Sequence, residues 1–457
     1  MSASTPSLWD EEVEILVIGG GPGGSTTAAC LAQRGRKALI LEQSRFPRFH
    51  IGESLLPSSA VVLKSLGLEE EMDRRFVRKY SARFLDDEAT EGSDTATARY
   101  AFVDAFPPST PYAWQVTRAE FDELLLRRAE ALGAEVREGY RVNKAIFEGN
   151  TAIGVEATSP TGERRRIGAR VIVDATGRDS LLARGPRGEE PARRRLPGLD
   201  KTAIFTHIQG GHRNEGLNAG QIELTILAGR NDDGSTPGWA WFIPFNDGRS
   251  SIGFVLSSEV LKGRVNDARA LFGDKLGPEP REYGDRSTET NARLEAVFDA
   301  EVSRSPWMRR MIGDAPRVNP VRAAADYSFR VGTLAGDGWL AVGDAAGFLD
   351  PLFSTGAHMA IGGGVRAARA IDEALTGGDV SAARFAPYAK MMRTAGDLFL
   401  GAVQSFYRGD LRGLLFAKNQ RPVIRRSITS MLAGDVFHEG TAPAWVGFFR
   451  DYFPVTL

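Results

Sequence analysis

The sequence predicts an α/β protein with a parallel sheet near the N-terminus, an inserted second sheet and a C-terminal helical region. Three observations predict this arrangement: a glycine-rich turn between an apolar run and a helical segment, alternating apolar segments in residues 200–260, and helical patterning over residues 381–457. A chain of 457 residues exceeds what one hydrophobic core usually supports. We therefore expect two or three structural units.

The N-terminal elements surround the turn Gly19-Gly20-Gly21-Pro22-Gly23-Gly24, which has the pattern G-x-G-x-x-G. Residues 13–18 before it predict a buried strand, residues 25–34 after it predict a helix, and residues 37–41 predict a second strand that leads to Glu42. Strand, glycine turn, helix, strand and acid in this order predict a Rossmann-like domain that binds a dinucleotide.

Each residue of this motif has a predicted role. Gly19 permits the tight turn, Gly21 and Gly23 belong to the backbone that approaches a pyrophosphate, and Gly24 allows close packing of helix and strand. The N-terminus of the helix offers unpaired N–H groups to the anion. Glu42 is expected to accept hydrogen bonds from ribose hydroxyls.

Composition excludes several other classes of protein. The net charge of -1 gives no electrostatic basis for nucleic-acid binding. Cys30 is the single cysteine and the five histidines have no paired spacing, so we expect neither disulfides nor a metal site. No apolar run is long enough to span a bilayer, and residues 1–10 lack a signal-peptide core. We expect a cytoplasmic protein without membrane association.

Two further strand ends are predicted to face the same ligand. Residues 170–177 predict a strand that leads into a turn at Asp174, and residues 339–346 predict a strand that ends in Gly343-Asp344 before another helix. The order of the three motifs resembles the FAD-binding fold of aromatic hydroxylases over residues 11–380. By this resemblance Asp174, Gly343 and Asp344 contact FAD. Gln115 and Arg118, at a predicted helix start, also match FAD-contacting positions of that superfamily.

The segments between these motifs predict the division into domains. Residues 200–260 contain alternating strands, which predict a sheet with one covered face above the flavin. Asp86–Thr97 predicts a surface loop, and Arg421-Pro422 predicts a break between C-terminal helices. The predicted division assigns residues 1–78, 107–190 and 319–380 to an FAD-binding domain, residues 79–106 and 191–318 to a substrate-side sheet domain, and residues 381–457 to a C-terminal helical region.

The hexapeptide Trp239-Ala240-Trp241-Phe242-Ile243-Pro244 points to a narrower family. It matches the W-x-W-x-I-P signature of flavin-dependent halogenases, and residues 348–356 match their second signature, F-x-x-P-x-x-S-x-G. Residues 52–57, Gly-Glu-Ser-Leu-Leu-Pro, resemble the loop after their second strand. Most of the chain thus resembles this halogenase family.

The resemblance implies that reduced FAD (FADH2), O2 and chloride or bromide form hypohalous acid. It also implies that the backbone amides of Thr355 and Gly356 hold the halide, with Pro351 beside the cofactor and Ser354 in the catalytic turn. Trp239 and Trp241 then form a partition between the flavin and the substrate chamber. Because no second glycine fingerprint is evident, we expect a separate NAD(P)H-dependent flavin reductase to deliver FADH2 by transient contact.

Lys79 falls at the place of the lysine that, in this family, receives hypohalous acid at the far end of an internal tunnel. Its ammonium could donate a hydrogen bond to the acid, or its neutral amine could form a haloamine, and burial would favour the second route. Glu53 is predicted to couple the flavin to the halide side or to serve as a structural cap.

One departure from the family restricts the predicted substrate. Tryptophan halogenases have a glutamate directly before the S-x-G triplet, where this chain has Phe353. Phenylalanine there resembles enzymes that act on phenols, pyrroles or carrier-tethered aromatics. The resemblance implies natural-product biosynthesis, with an electron-rich aromatic that is either free or tethered to an acyl carrier protein.

Two other functions remain open at this stage. One is an FAD-dependent monooxygenase or a prenyl-type reductase, which would share the glycine motifs but would not need Lys79 or the tryptophan pair. The other is a non-catalytic flavoprotein that docks an acidic carrier protein or a membrane surface. The basic residues considered for such docking are Arg412, Lys418, Arg421, Arg425 and Arg426, although a solvated helix face is the preferred interpretation of that stretch.

Overall fold

The computed structural model describes residues 8–89, 96–107, 110–186, 193–231, 234–272, 288–325, 327–438 and 443–456, with the side chains of 266–272 and 288–293 outside the description. Within those ranges no helix has the length and apolar character needed to cross a membrane. The same residues hold no group of three or more His, Cys, Asp or Glu side chains arranged for a metal ion.

Helices and strands alternate in the N-terminal part, and helices dominate the C-terminal part. The helices are α1 (Pro22–Ala32), α2 (Pro57–Ser65), α3 (Glu69–Arg75), α4 (Arg118–Leu132), α5 (Ser258–Phe272), α6 (Thr288–Arg304), α7 (Pro306–Ile312), α8 (Thr355–Gly377), α9 (Ala382–Arg408), α10 (Asp410–Leu415), α11 (Pro422–Leu432) and α12 (Ala444–Tyr452). The strands are β1 (Glu11–Ile18), β2 (Ala38–Glu42), β3 (Val77–Lys79), β4 (Ser81–Asp86), β5 (Thr97–Ala101), β6 (Ala113–Gln115), β7 (Glu135–Glu138), β8 (Arg141–Glu148), β9 (Thr151–Thr158), β10 (Arg164–Asp174), β11 (Arg194–Arg195), β12 (Lys201–Gln209), β13 (Ile222–Ile226), β14 (Gly238–Pro244), β15 (Arg249–Ser257), β16 (Arg322–Ala325), β17 (Phe329–Arg330), β18 (Ala335–Gly336), β19 (Trp339–Ala341) and β20 (Gly347–Phe348).

The first sheet has eight strands and contains the predicted parallel arrangement. Its main path runs β18-β19-β10-β1-β2-β7, with β9 and β8 attached beside β10. The pairs β1/β2, β1/β10, β10/β19 and β2/β7 are parallel. Helix α1 begins at Pro22 rather than at Ser25, because proline suits the first helical position, where no N–H partner is needed. The α/β fold class is confirmed.

The second sheet has seven strands in the order β16-β12-β15-β14-β13-β4-β5. One face belongs to a core with Phe205, Trp239 and Trp241, and the other belongs to a core with Phe242 and Phe254. The expectation of a single covered face is wrong, because α6 and α7 pack on the second face. Successive apolar side chains of β14 therefore point into the two cores in turn.

The segment Asp86–Thr97 differs from the predicted surface loop at both ends. Asp86 ends β4 and is buried, and Thr97 begins β5, so both end residues of the predicted loop belong to strands. Residues 90–95 lie outside the described residues. The side chain of Asp86 accepts hydrogen bonds from Arg412 of α10, which explains why an acidic residue is buried there.

The C-terminal region is helical, as predicted, and Pro422 begins α11. Helix α9 packs against α8, and α12 packs against α9. The strand β16 pairs with β12 of the second sheet, although the predicted division assigns its residues to the FAD-binding domain. The division into domains stays a prediction.

Candidate active site

A cavity of about 530 Å³ lies between the two large sheets. Its floor is formed where β1, β2, β10 and β19 end, and its roof includes residues of β12, β13 and β14. Ligands of open α/β sheets bind at the carboxyl ends of the strands, and this cavity has that position. The predicted site residues on its wall are Gly19, Gly21, Gly23, Glu42, Glu53, Arg118, Trp239, Trp241, Gly343, Asp344, Pro351, Ser354, Thr355 and Gly356.

Four predicted site residues lie off the cavity wall: Gly24, Lys79, Gln115 and Asp174. A Cβ atom at Gly24 would lie 2.0 Å from the Gly19 carbonyl oxygen, which supports its predicted packing role. The carboxylate of Asp174 accepts hydrogen bonds from the backbone N–H groups of Thr176 and Leu182, and it is fully buried.

Asp174 and Gln115 each have partners within the protein, and their predicted cofactor contacts stay a prediction. Asp174 holds the turn after β10, because its oxygens accept from the Thr176 N–H and hydroxyl and from the Leu182 N–H. The Gln115 amide Nε2 donates to the Gly220 carbonyl oxygen at 2.8 Å and joins β6 to the segment before β13. The sequence pattern around Asp174 and Gln115 cannot show whether these side chains contact a ligand or other parts of the protein.

The glycine turn fits a dinucleotide. Gly19 has a φ of +106°, which favours glycine, and a Cβ at Gly21 would meet only the Arg48 guanidinium at 3.5 Å, so its backbone faces open space. The Glu42 carboxylate accepts hydrogen bonds from Gly20 and Ser44 N–H, both at 2.7 Å. These donors orient the carboxylate at the cavity rim, where it retains lone pairs for ribose hydroxyls.

Arg118 carries a buried positive charge on the wall of the cavity. Its guanidinium makes a bidentate contact with Asp122 at 2.7 and 2.9 Å and donates to the Ile51 carbonyl oxygen at 2.8 Å. Burial raises the pKa of Asp344 to about 6, and Arg118 and Arg178 oppose that rise. Arg48 and Arg178 also line the cavity, and no motif in the sequence identified them.

The two tryptophans of β14 lie on the same face because residues two apart in a strand share a face. Their ring centroids are 5.8 Å apart. The Trp239 indole donates to the Tyr407 hydroxyl at 2.9 Å, and the Trp241 indole donates to the Ser251 hydroxyl at 3.1 Å. Both indoles are thus held rigidly in the roof of the cavity.

The second signature forms a turn that ends at the start of α8. Ser354 has a φ of 56°, a left-handed conformation that is uncommon for serine, and α8 begins at Thr355. The first N–H groups of a helix lack partners within the helix and carry positive potential. Thr355 and Gly356 lie on the cavity wall at this end of a 23-residue helix.

Lys79 lies behind the cavity wall, on β3. Its side chain is 2% exposed, and its Nζ donates to the Ser54 hydroxyl at 2.9 Å and to the Leu55 carbonyl oxygen at 3.1 Å. Burial lowers the pKa of Lys79 to about 7. Ser54 itself lines the cavity, so Lys79 is hydrogen-bonded to a residue of the cavity wall.

Glu53 is fixed by residues that the sequence did not single out. Its Oε1 lies 2.9 Å from His207 Nε2, and His207 Nδ1 lies 3.1 Å from the Asn319 amide. The other carboxylate oxygen of Glu53 is buried and has no hydrogen-bond partner among the described residues. His207 and Asn319 are far from Glu53 in the chain, and only the fold brings them together.

The sequence model of the tryptophan halogenase family matches residues 14–88 and 94–413 of this chain. The chain belongs to this family. It is 31% identical over 418 residues to the flavin-dependent halogenase armH3 of Armillaria mellea, covering 89% of this chain and 76% of that protein. It is also 31% identical over 367 residues to the 1H-pyrrole-2-carbonyl-[peptidyl-carrier protein] brominase of Pseudoalteromonas luteoviolacea, covering 80% and 79%.

A solved structure agrees with these relatives. The flavin-dependent brominase Bmp2 matches with a TM-score of 0.77 and 26% sequence identity, covering 96% of this chain and 98% of that chain. The predicted resemblance is confirmed, and the protein is an enzyme: a flavin-dependent halogenase that uses FAD, O2 and a halide. The monooxygenase, reductase and non-catalytic interpretations are set aside.

Proposed function

We propose that this halogenase transfers halogen through Lys79 to an electron-rich aromatic, a phenol or a pyrrole, which is free or tethered to a carrier protein. The observation that supports this most directly is the environment of Lys79. Lys79 is buried and donates a hydrogen bond to Ser54 on the wall of the cofactor cavity, and burial lowers its pKa to about 7. A lysine in that state is partly a neutral amine, which is a nucleophile.

The chain's own residues have distinct proposed tasks. Bound FAD, once reduced, supplies with O2 the oxidising equivalents that convert a halide into hypohalous acid. The N–H groups of Thr355 and Gly356 hold the halide, and Ser354 sets the left-handed turn that aims them into the cavity. Trp239 and Trp241 keep the aromatic substrate away from the cofactor.

Lys79 then has two ways to act on the hypohalous acid. The neutral amine can bond the halogen while hydroxide leaves and takes up the amine proton as water, whereas the ammonium can only donate a hydrogen bond. Ser54 and Leu55 occupy two donor positions of the side chain. A neutral amine has only those two protons, so its lone pair stays available.

Phe353 supports an electron-rich substrate. Its ring is 2% exposed and packs edge-on against Phe406 with centroids 6.5 Å apart. An aromatic hydrocarbon at this position supplies no base and no countercharge. Phenols and pyrroles stabilise the cationic intermediate of substitution themselves, and they need less help from the protein.

A tethered substrate is supported by the relative that acts on a pyrrole held by a peptidyl-carrier protein. Arg421 lies directly before α11, and Arg425 and Arg426 lie within it. These three residues have no carboxylate within ion-pair distance in the described part of the chain, and they leave positive charge there for an acidic partner. Arg412 is excluded from that surface, because it is ion-paired with Asp86 and Glu88. We infer a separate flavin reductase, because no second glycine fingerprint is evident in the sequence. We also infer a cytoplasmic location.

The proposal is tested with purified protein, FAD, a flavin reductase, NADH and either chloride or bromide. The substrates are a phenol, a pyrrole-2-carboxyl thioester on pantetheine, the same group on a carrier protein, and free tryptophan. We expect mass spectra with a halogen isotope pattern on the phenol or on a pyrrole thioester. A product heavier by one oxygen without halogen, or halogenation of tryptophan alone, would contradict the proposal.

A further inference from the structure

A buried chain of hydrogen bonds joins the tryptophan wall to the turn before α8. The Trp239 indole lies 2.9 Å from the Tyr407 hydroxyl, and that hydroxyl lies 3.0 Å from Asp350 Oδ2. The other oxygen, Asp350 Oδ1, accepts from the Leu352 N–H at 2.9 Å. Tyr407 is on α9, so the three groups come from the sheet, the C-terminal region and the second signature.

The direction of each bond follows from the chemistry of the groups. An indole N–H can only donate, so the Tyr407 oxygen must accept from Trp239. The Tyr407 proton is then directed to Asp350, which accepts it best as a carboxylate. Burial raises the pKa of Asp350 to about 7, and the Leu352 N–H and the Tyr407 hydroxyl oppose that rise. Lys201 also opposes it, with its Nζ 4.2 Å from the Tyr407 ring centroid.

Asp350 also organises the turn that leads to Thr355. Its carboxylate caps the short helical turn Pro351–Phe353, and its carbonyl oxygen accepts from the Thr355 hydroxyl at 3.3 Å. A shift of Asp350 would therefore move the start of α8. Hydrogen bonds in such a buried chain strengthen one another, because each polarises the next.

We propose that Tyr407 and Asp350 are positioning residues that couple the Trp239 wall to the amides at the start of α8. Through them, an anion at Thr355 and Gly356 changes the environment of the Trp239 indole, and loss of the coupling weakens halide binding. The proposal rests on the halide site under Proposed function. Its first test does not need turnover, so the two can fail separately.

The first test labels the protein, with FAD bound, with 5-fluorotryptophan and follows the fluorine NMR signals of its seven tryptophans. Trp239→Phe identifies the Trp239 signal. Sodium bromide is added against sodium acetate at equal ionic strength. We expect bromide to shift the Trp239 signal in the wild-type protein, and we expect Tyr407→Phe and Asp350→Asn to remove that shift.

The second test measures the bromide KM in turnover with a phenol. Tyr407→Phe removes the hydroxyl that accepts from Trp239 and donates to Asp350, and it should raise the bromide KM about fivefold while kcat changes less. Tyr388→Phe is the matched control, since Tyr388 is on the same helix, is buried, and donates to the Ala341 carbonyl oxygen at 2.7 Å. It should leave the Trp239 signal and the bromide KM unchanged.

The outcomes separate coupling from a general structural role. A bromide shift of the Trp239 signal that persists in both Tyr407→Phe and Asp350→Asn would overturn the proposal. Equal effects of Tyr388→Phe and Tyr407→Phe on the Trp239 signal and on the bromide KM would also overturn the proposal. If no bromide shift occurs even in the wild-type protein, the proposed coupling is refuted, and the bromide dependence of turnover in the second test decides separately whether the halide site stands. A shift with no turnover would keep the coupling and refute the proposed substrate.

Discussion

Two buried basic residues, Arg118 and Lys79, contact opposite ends of the same short segment, yet their pKa values shift in opposite directions. Arg118 donates to the Ile51 carbonyl oxygen and Lys79 donates to the Leu55 carbonyl oxygen. Burial lowers the pKa of Arg118, but Asp122, together with Asp344 and Glu53, outweighs that effect and the net shift is upward. Lys79 makes its hydrogen bonds to a hydroxyl and a carbonyl, and burial alone lowers its pKa to about 7.

The difference teaches that the type of side chain and its partners, and not the depth of burial alone, decide what a buried cation can do. A guanidinium beside a carboxylate remains charged and suits the fixed task of holding an anionic cofactor. An amine beside neutral acceptors can lose its proton and become a nucleophile. We therefore predict that Arg118 serves cofactor binding and that Lys79 serves the reaction.

The largest expected effect comes from removing the reactive cation. Lys79→Met keeps the length and the apolar stem of the side chain but removes the amine. We expect halogenation to fall by about 1000-fold, within the range for a positioned catalytic group, with FAD affinity unchanged. Product is measured by mass spectrometry and FAD binding by flavin fluorescence. Lys64→Met, at an exposed helical lysine, is the control, and activity in Lys79→Met near that control would remove Lys79 from the mechanism.

The second effect comes from removing the partner of the binding cation. Asp122→Ala leaves Arg118 buried without its carboxylate, and we expect a loss of about 3 kcal/mol in the free energy of unfolding. Urea denaturation followed by circular dichroism measures it. Glu130→Ala is the matched control on the same helix, since its pair with Arg127 is solvent-exposed and should contribute less than about 1 kcal/mol. Equal losses would contradict the comparison.

The smallest expected effect is the change in the charged fraction of Lys79 with pH. With a pKa near 7, its charged fraction should fall from about 90% at pH 6 to about 10% at pH 8. Carbon-13 NMR of labelled lysine side chains follows this, because the chain has only nine lysines and Lys79→Arg identifies the signal. A midpoint above pH 9 would show that the amine stays charged.

The lowered pKa of Lys79 also makes its contribution to the free energy of unfolding depend on pH. The folded pKa of Lys79 lies below its ordinary value of 10.5, so the unfolded chain binds more protons between pH 7 and 10.5. The contribution of Lys79 to the free energy of unfolding therefore rises with pH across that window. Lys79→Met should reduce this rise, which urea denaturation at several pH values measures.

Much of the fold followed from local patterns in the sequence. The glycine turn, the strands on either side of it and the break at Pro422 were predicted, because backbone freedom at glycine and its restriction at proline act over a few residues. The second covered face of the inserted sheet was missed. Its strands alternate between two apolar faces, and periodicity cannot show that helices cover both.

The sequence by itself determined the family and the residue types of the site, because the signature around Trp239 and the turn at Ser354 are short and continuous. Only the tertiary structure decided which of these residues reach the cavity. In the folded protein, Asp174 and Gln115 lie off the cavity wall and bond to other parts of the chain. His207 and Tyr407, which no motif identified, are the hydrogen-bond partners of Glu53 and Trp239. Charge state and hydrogen-bond partners depend on groups that are distant in the chain, and folding alone brings those groups within hydrogen-bond distance.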